Sequence, residues 1–104
     1  MNINHNPKFC PIENTLKIIG GKWKAILLWY IAEAPKRYGE LKKLVPGISE
    51  KMLIQSLRAI ETDGLINREV FNEIPPRVEY SVTKRGETLM PILKTMYAWG
   101  AKSE

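Results

Sequence analysis

The stretch that decides the fold runs from Pro46 to Thr83 and reads PGISEKMLIQSLRAIETDGLINREVFNEIPPRVEYSVT. Ser49 is a favourable N-cap, because its hydroxyl can accept a hydrogen bond from a free backbone N–H group of the first helical turn. The following residues carry apolar side chains at a spacing that places them on one helical face: Met52, Leu53, Leu57 and Ile60. Gly64 suits the left-handed position that ends a helix. The stretch therefore predicts a helix over residues 49–63.

Two runs rich in β-branched and aromatic residues follow this helix, INREVFNE and RVEYSVT, and Ile74, Pro75 and Pro76 separate them. Such runs predict a β-hairpin over residues 66–83. A short helix is predicted before the turn at Pro46-Gly47, over residues 39–45. Two helices joined by a turn and followed by a hairpin are the order of a winged helix-turn-helix, in which the second helix is free to enter a major groove.

The remainder of the chain supplies further helices on both sides of this stretch. A helix is predicted from Pro11 through Ile19, and a second over residues 22–34 is apolar around so much of its perimeter that it must be a central core helix. Lys36 to Tyr38 forms at most a strand stub that pairs with the hairpin. The last helix spans about residues 84–102, with Thr83 as its cap and a kink or break expected near Leu89-Met90, because Pro91 lies inside the pattern.

These elements predict a mainly α protein with a small β-hairpin, an α+β class. Residues 1–9 are expected to be a flexible arm, and residues 10–104 one winged helix-turn-helix domain. The last helix is amphipathic and lies outside the compact fold, so its apolar side must be buried elsewhere. In a chain of this size the natural cover is a second copy, which predicts a homodimer.

Composition narrows the class of protein. The net charge is +5, from 16 basic and 11 acidic side chains, and a basic surplus favours a polyanionic partner such as nucleic acid, although it also occurs on simple solubilising surfaces. The longest apolar run, residues 25–34, is too short to span a bilayer, and residues 1–9 lack the apolar core of a signal peptide. We therefore expect a cytoplasmic protein with no membrane partner.

The residues that could carry catalysis or bind a metal are few. The chain has one histidine, His5, and one cysteine, Cys10, so neither a four-ligand zinc site nor an intrachain disulfide can form. Gly20-Gly21 precedes a helix but lacks the other residues of a phosphate-binding loop. We predict no catalytic residues, no metal and no cofactor. A small thiol reductase using Cys10 remains an alternative, opposed by the absence of partner groups near it in sequence.

The polar face of the predicted helix 49–63 carries residue types that reach base edges and phosphates. The predicted contacts to double-stranded DNA combine this face, nearby lysines and arginines, and the hairpin tip, where an arginine could reach a minor groove: Lys36, Arg37, Lys42, Lys43, Ser49, Lys51, Ile54, Gln55, Arg58 and Arg77. The same helix carries only Lys51 and Arg58 as basic residues, against Glu50, Glu61 and Asp63. A winged helix that contacts protein or RNA without recognising duplex DNA therefore stays open as an alternative.

Cys10 directly precedes Pro11 at the start of the first helix, where the positive end of the helix dipole stabilises an anion. This setting could serve an oxidant- or electrophile-sensing thiol. A lone cysteine is more often a small buried apolar residue.

Three segments resemble the HxlR-type transcriptional regulators, which are MarR-like: CPIENTLKIIGGKWKAILLWYI, YGELKKLVPGISEKMLIQSLRAIETDGLI and PPRVEYSVTKRGETLMPIL followed by WG. The similarity covers residues 10–100 and implies a dimeric winged-helix protein acting on promoters. It implies a dimer interface on the first and last helices, here Ile12, Leu16, Leu89, Leu93, Met96, Tyr97 and Trp99.

The resemblance also bears on Cys10, which stands at a CP position where some members of the family sense quinones, aldehydes, diamide or hypochlorite. It implies that Cys10 could oxidise to a sulfenic acid or link two subunits. The chain departs from the family at Glu50 and Ile54, where uncharged polar residues are familiar, and Glu50 would repel phosphate while being able to accept from a cytosine amine.

Overall fold

The computed structural model describes residues 10–103, so the predicted arm 1–9 and His5 lie outside the described residues. It contains five helices and a three-stranded antiparallel sheet. Their order and bounds are α1 Pro11–Ile19, α2 Lys24–Glu33, β1 Lys36–Arg37, α3 Tyr38–Leu44, α4 Glu50–Thr62, β2 Ile66–Phe71, β3 Arg77–Val82 and α5 Lys84–Lys102. The mainly α class with a small hairpin is confirmed, with each predicted element present.

The central core helix was predicted correctly. α2 contacts α1, α3, α4, α5 and β3, and it buries Leu27, Leu28 and Ile31 completely or nearly so. Around it the core draws on α3, α4, the hairpin, α5 and the segments that connect them: Leu41, Val45, Ile48, Leu53, Leu57, Ile60, Leu65, Ile66, Tyr80 and Leu93. One core therefore holds the two helices of the helix-turn-helix and the hairpin in fixed positions.

The sheet has the strand order β1-β3-β2. β2 pairs with β3 from Ile66 opposite Val82 to Phe71 opposite Arg77, and the stub β1 pairs with the outer side of β3. The predicted pairing of the stub with the hairpin is thus confirmed. The hairpin is the wing, fixed at its base and free at its tip.

The caps of α4 and α5 are those that the sequence predicts. The Ser49 hydroxyl accepts from the Met52 backbone N–H at 3.1 Å, and the Thr83 hydroxyl accepts from the Gly86 N–H at 3.0 Å. Gly64 ends α4 with a φ of +77°, a conformation that side chains disfavour.

Two expectations about the helices are wrong. Met52 was placed on the buried face of α4, but its side chain is 38% exposed and Ser56 takes the buried position beside Leu53 and Leu57. The break expected near Leu89-Met90 is absent, since α5 is continuous from Lys84 to Lys102, while the kink expected there as the other outcome stays a prediction. Pro91 removes one backbone hydrogen bond and crowds the carbonyl four residues earlier, but packing of α5 against α2 and β3 holds the turns on both sides of it.

Candidate nucleic-acid interface

The exposed face of α4 and the wing enclose one concave surface. A space of about 640 Å³ lies between them, with α4 residues on one side and strand residues on the other. Its wall is formed by Tyr38, Ile54, Leu57, Arg58, Glu61, Arg68, Val78 and Tyr80. The predicted contacts Ile54 and Arg58 are therefore brought together with the wing, as a helix-turn-helix with a functional wing requires.

Five cationic side chains of β1, α3, α4 and β2 are exposed and take part in no ion pair within residues 10–103, and two of them, Arg58 and Arg68, line the concave surface. The five are Arg37, Lys43, Lys51, Arg58 and Arg68. The first four were predicted from the sequence. Arg68 was missed, because a single arginine in a strand run carries no signal until the fold places that strand opposite α4.

Lys36 is wrong as a predicted phosphate contact. Its side chain is 9% exposed, and its ammonium donates to the Ala34 carbonyl at 3.1 Å and lies 3.9 Å from the Glu33 carboxylate. The short strand β1 turns Lys36 inward and its neighbour Arg37 outward, since successive side chains of a strand point to opposite faces.

Arg77 is held inside the wing. Its guanidinium stacks over the Phe71 ring at 4.2 Å, and it lies 3.4 Å from the Glu73 carboxylate and 3.2 Å from that of Glu79. The closest approach is made by Nε, whose N–H does not point at the Glu79 oxygen, so this contact is one of charge and not a hydrogen bond. Arg77 therefore organises the wing, and the tip presents Ile74, whose side chain is fully exposed.

Lys42 is also engaged. Its ammonium donates to the Glu50 carboxylate at 2.8 Å, across the turn between α3 and α4. This hydrogen bond lowers the pKa of Glu50 below its usual value and raises the pKa of Lys42 above its own, so both groups are charged at neutral pH. The negative charge of Glu50, noted in the sequence as a departure from the family, is thus matched by Lys42.

A separate apolar face lies on α1 and α5. Ile12, Leu16, Met96, Tyr97 and Trp99 are exposed, as expected of residues that await a partner. Ile26 of α2 and Ile92 of α5 are exposed large apolar residues that the prediction omitted, and they line shallow cavities together with Met96. These two could have been found from the sequence only by knowing which sides of α2 and α5 the core already uses.

Leu93 is wrong as a predicted interface residue, since it is 4% exposed and belongs to the core of its own protomer. Leu89 is half-buried against the same core. Tyr97 stacks on Trp29 of α2, with ring centroids 4.9 Å apart and planes 9° from parallel. The aromatic pair fastens α5 to α2 while leaving one face of Tyr97 exposed.

Cys10 is the N-cap residue of α1 and is half-buried. Its side chain makes no capping hydrogen bond, and its carbonyl accepts from the Glu13 N–H at 2.8 Å.

No helix within residues 10–103 is long and apolar enough to cross a membrane.

Comparison with known proteins agrees with this architecture. The family described as HxlR-like helix-turn-helix matches residues 18–104. The HTH-type transcriptional regulator YdeP of Bacillus subtilis (strain 168) is 52% identical over 93 residues, which cover 89% of this chain and 73% of YdeP.

Solved structures show the same fold. The redox regulator HypR in its oxidized form superposes with a TM-score of 0.89 at 45% identity, over 91% of this chain and 98% of HypR. A MarR-family transcriptional regulator from Porphyromonas gingivalis W83 superposes with a TM-score of 0.88 at 39% identity, over 100% of both chains. The chain therefore belongs to the HxlR-like helix-turn-helix family and is a MarR-like, winged-helix transcriptional regulator and not an enzyme.

Proposed function

We propose that this regulator is a homodimer that binds double-stranded DNA at a pseudo-palindromic operator, with α4 in the major groove and the wing against the adjacent backbone or minor groove. The observation that carries this proposal is the concave surface shared by α4 and the wing, which holds Arg58 and Arg68. The surface presents α4 and the wing together, and two protomers would meet half-sites about 34–36 Å apart.

The proposed DNA contacts divide into side chains that read bases and side chains that bind the phosphate backbone. Gln55 and Arg58 lie on the exposed side of α4 and are the residue types that pair with adenine and guanine edges. Arg37, Lys43 and Lys51 supply positive charge that attracts the phosphates. Contacts to phosphates position a protein on DNA but carry no sequence information. Lys36 and Arg77 leave the set of proposed contacts because other protein groups hold them.

The second protomer follows from the apolar face on α1 and α5. Ile92, Met96 and Trp99 line one apolar hollow on α5, and a contiguous exposed apolar patch of this kind marks an interaction site. The cytoplasmic location also stays a prediction, and it agrees with the proposed function because a regulator must share a compartment with its DNA.

The direct test is an anisotropy titration, at several salt concentrations, of the protein against DNA from upstream of its own gene and against an unrelated duplex. We expect binding at least about a thousandfold tighter to the first. Equal, salt-sensitive binding to both duplexes would place the operator elsewhere. Absence of binding to any duplex would overturn the proposal in favour of the module that contacts protein or RNA.

We further propose that oxidation of Cys10 controls this binding. Cys10 is half-buried at the start of α1, a helix of the proposed dimer interface, and the similar protein HypR is a redox regulator. With one cysteine per chain, the balanced step with diamide joins two Cys10 thiols from two protomers as a disulfide. Two electrons and two protons then pass to the diamide.

This second proposal is tested with the same operator DNA, comparing wild type and Cys10→Ser before and after diamide. We expect operator affinity to change at least tenfold in the wild type and to stay constant in the variant. A covalent dimer on non-reducing electrophoresis must accompany the change. Unchanged wild-type affinity after complete oxidation would assign Cys10 a structural role.

A further inference from the structure

The ion pair between Lys42 and Glu50 joins the two helices of the helix-turn-helix. Lys42 lies near the end of α3 and Glu50 is the first residue of α4, with residues 45–49 forming the turn between them. The 2.8 Å distance from Nζ to Oε1 makes it the shortest ion pair within residues 10–103. It lies at the end of α4 that, in helix-turn-helix proteins, contacts base edges.

Both helices hold their side of the pair in place. α3 is anchored in the core by Leu41 and α4 by Leu53, and both of these residues are fully buried. The Ser49 cap fixes the first turn of α4, from which Glu50 projects. The pair therefore joins two elements whose backbones are anchored in the core.

We propose that Glu50 masks Lys42 from DNA phosphates, and that Glu50 is thereby a selectivity-determining residue of α4. The inference rests on the proposed DNA binding and deepens it. A lysine raises affinity for any duplex by neutralising a phosphate and releasing its counterion. A lysine already neutralised by a carboxylate gives no such gain, and the carboxylate repels a phosphate that approaches.

At the operator, the effect of Glu50 on binding depends on the base that the carboxylate faces. A carboxylate in the major groove is compensated where a base presents a donor, and the N4 amine of cytosine is the donor that Glu accepts from. The major-groove edge of guanine offers only acceptors, so it gives the Glu50 carboxylate no donor and opposes its negative charge. Glu50 thus weakens binding to duplexes in general and favours half-sites with a cytosine opposite the start of α4.

The experiment measures the salt dependence of binding to a non-specific duplex for the wild type, Glu50→Gln, Lys42→Met and the double variant. Glu50→Gln should steepen the slope of log K against log salt by about 0.9 per bound protomer, because one phosphate contact is gained. This equals about fivefold tighter non-specific binding at 0.15 M salt. Lys42→Met neither adds nor removes a phosphate contact and should leave the wild-type slope unchanged, and in its background Glu50→Gln should no longer steepen the slope.

Lys43 provides the matched control. It is the neighbouring lysine on α3, is exposed, and has no ion pair within the part of the chain described. The gain caused by Glu50→Gln should be the same in a Lys43→Met background as in the wild type, which shows that it belongs to Lys42. Circular dichroism melts confirm that each exposed substitution leaves the fold intact.

The proposal is overturned if Lys42→Met flattens the wild-type slope as much as it flattens that of Glu50→Gln, since Lys42 would then contact phosphate despite its partner. It is also overturned if Glu50→Gln changes neither slope nor non-specific affinity. Those outcomes leave DNA binding intact, whereas a wild type that binds no duplex overturns the proposed function itself. Substituting cytosines in the operator half-site must cost the wild type more affinity than it costs Glu50→Gln.

Discussion

Arg77 illustrates how a residue suited to DNA contact is used instead to build the element that carries it. Its guanidinium sits between Glu73, Glu79 and the Phe71 ring, all within the wing. A planar, delocalised guanidinium can stack flat on an aromatic ring while the N–H groups at its edge face two carboxylates. Arg77 thus offsets part of the negative charge of Glu73 and Glu79 within the wing itself.

The first prediction concerns the stability that this cluster gives the wing. Arg77→Ala should lower the free energy of unfolding by about 1–2 kcal/mol, through loss of the stacking and of two ion pairs. Urea denaturation measures the change. Arg68→Ala is the control on the opposite strand, exposed and without an ion pair in residues 10–103, and should change stability by less than about 0.5 kcal/mol. Unchanged stability with lost DNA binding would return Arg77 to the set of DNA contacts.

The second prediction concerns Arg58, which lies on the exposed side of α4 and lines the concave surface. Arg58→Ala should weaken operator binding by about 1–3 kcal/mol if the side chain reads a base, and should relax selectivity at one base pair. Anisotropy with the operator and an unrelated duplex measures both. Lys102→Ala, in the last turn of α5, is the control and should alter neither. Equal losses on both duplexes would make Arg58 a phosphate contact.

The sequence predicted the kinds of residue at this interface but not which of them are available. Lys36, Lys42 and Arg77 read from the sequence as cations beside a recognition helix. In the structure Lys36 contacts Ala34 and Glu33. Lys42 contacts Glu50, and Arg77 contacts Glu73 and Glu79. Whether a charge is free depends on tertiary neighbours and on the direction of a two-residue strand, and neither is encoded in a local pattern.

At the scale of elements, the junction of α4, the wing and α5 determines where the wing points. The Thr83 hydroxyl donates to the Gly64 carbonyl at 2.6 Å, the Thr83 N–H donates to Leu65 at 3.0 Å, and Arg85 donates to the Asp63 carbonyl at 2.9 Å. The end of α4 is thus tied to the start of α5 across the base of the hairpin. This arrangement requires the first turn of α5 to approach the backbone closely.

The third prediction tests that close approach. A Cβ at Gly86 would lie 2.3 Å from the Leu65 carbonyl oxygen and 2.7 Å from a methyl group of Val82. Gly86→Ala should therefore destabilise the fold by about 1–3 kcal/mol, as overpacking does. Gly39→Ala is the control, because Gly39 is helical with nothing within 4 Å of the added atom, and it should be neutral or stabilising by up to about 1 kcal/mol. Equal melting temperatures for the two variants would contradict the prediction.

The elements themselves were predictable because their signals are local. The caps Ser49 and Thr83 and the glycine at 64 act on backbone groups within a few residues. The burial of Ser56 in place of Met52 was not predictable, since helical periodicity fixes the spacing of a buried face but not its exact centre. Where α4 meets its neighbours decides that centre, so a small polar residue can be buried while a larger apolar one is left exposed.

At the scale of the whole molecule, the proposed DNA contacts and the proposed dimer interface occupy different elements. The five exposed cations proposed to face DNA lie on β1, α3, α4 and β2, whereas Ile12, Leu16, Ile92, Met96, Tyr97 and Trp99 lie on α1 and α5. α2 and its aromatic stack with α5 connect the two regions through a single core. In the proposed dimer, a change in how two copies pack on α1 and α5 would therefore alter the spacing of the two α4 helices, which in the proposed complex must match one turn of DNA.

The fourth prediction is that the apolar face on α1 and α5 forms the dimer. Trp99 is 73% exposed and lines a cavity with Ile92 and Met96, so Trp99→Glu should leave the protomer folded and prevent association. Light scattering coupled to size exclusion should give a monomer. Affinity for the full operator should fall by about a hundredfold or more, because the second half-site is no longer bound at high effective concentration, while affinity for a single half-site stays the same. Ile74→Glu makes the same chemical change at the fully exposed wing tip and should leave the dimer intact. A Trp99→Glu protein that remained dimeric would place the interface on another surface, and the coupling between α5 packing and α4 spacing would have to be abandoned with it.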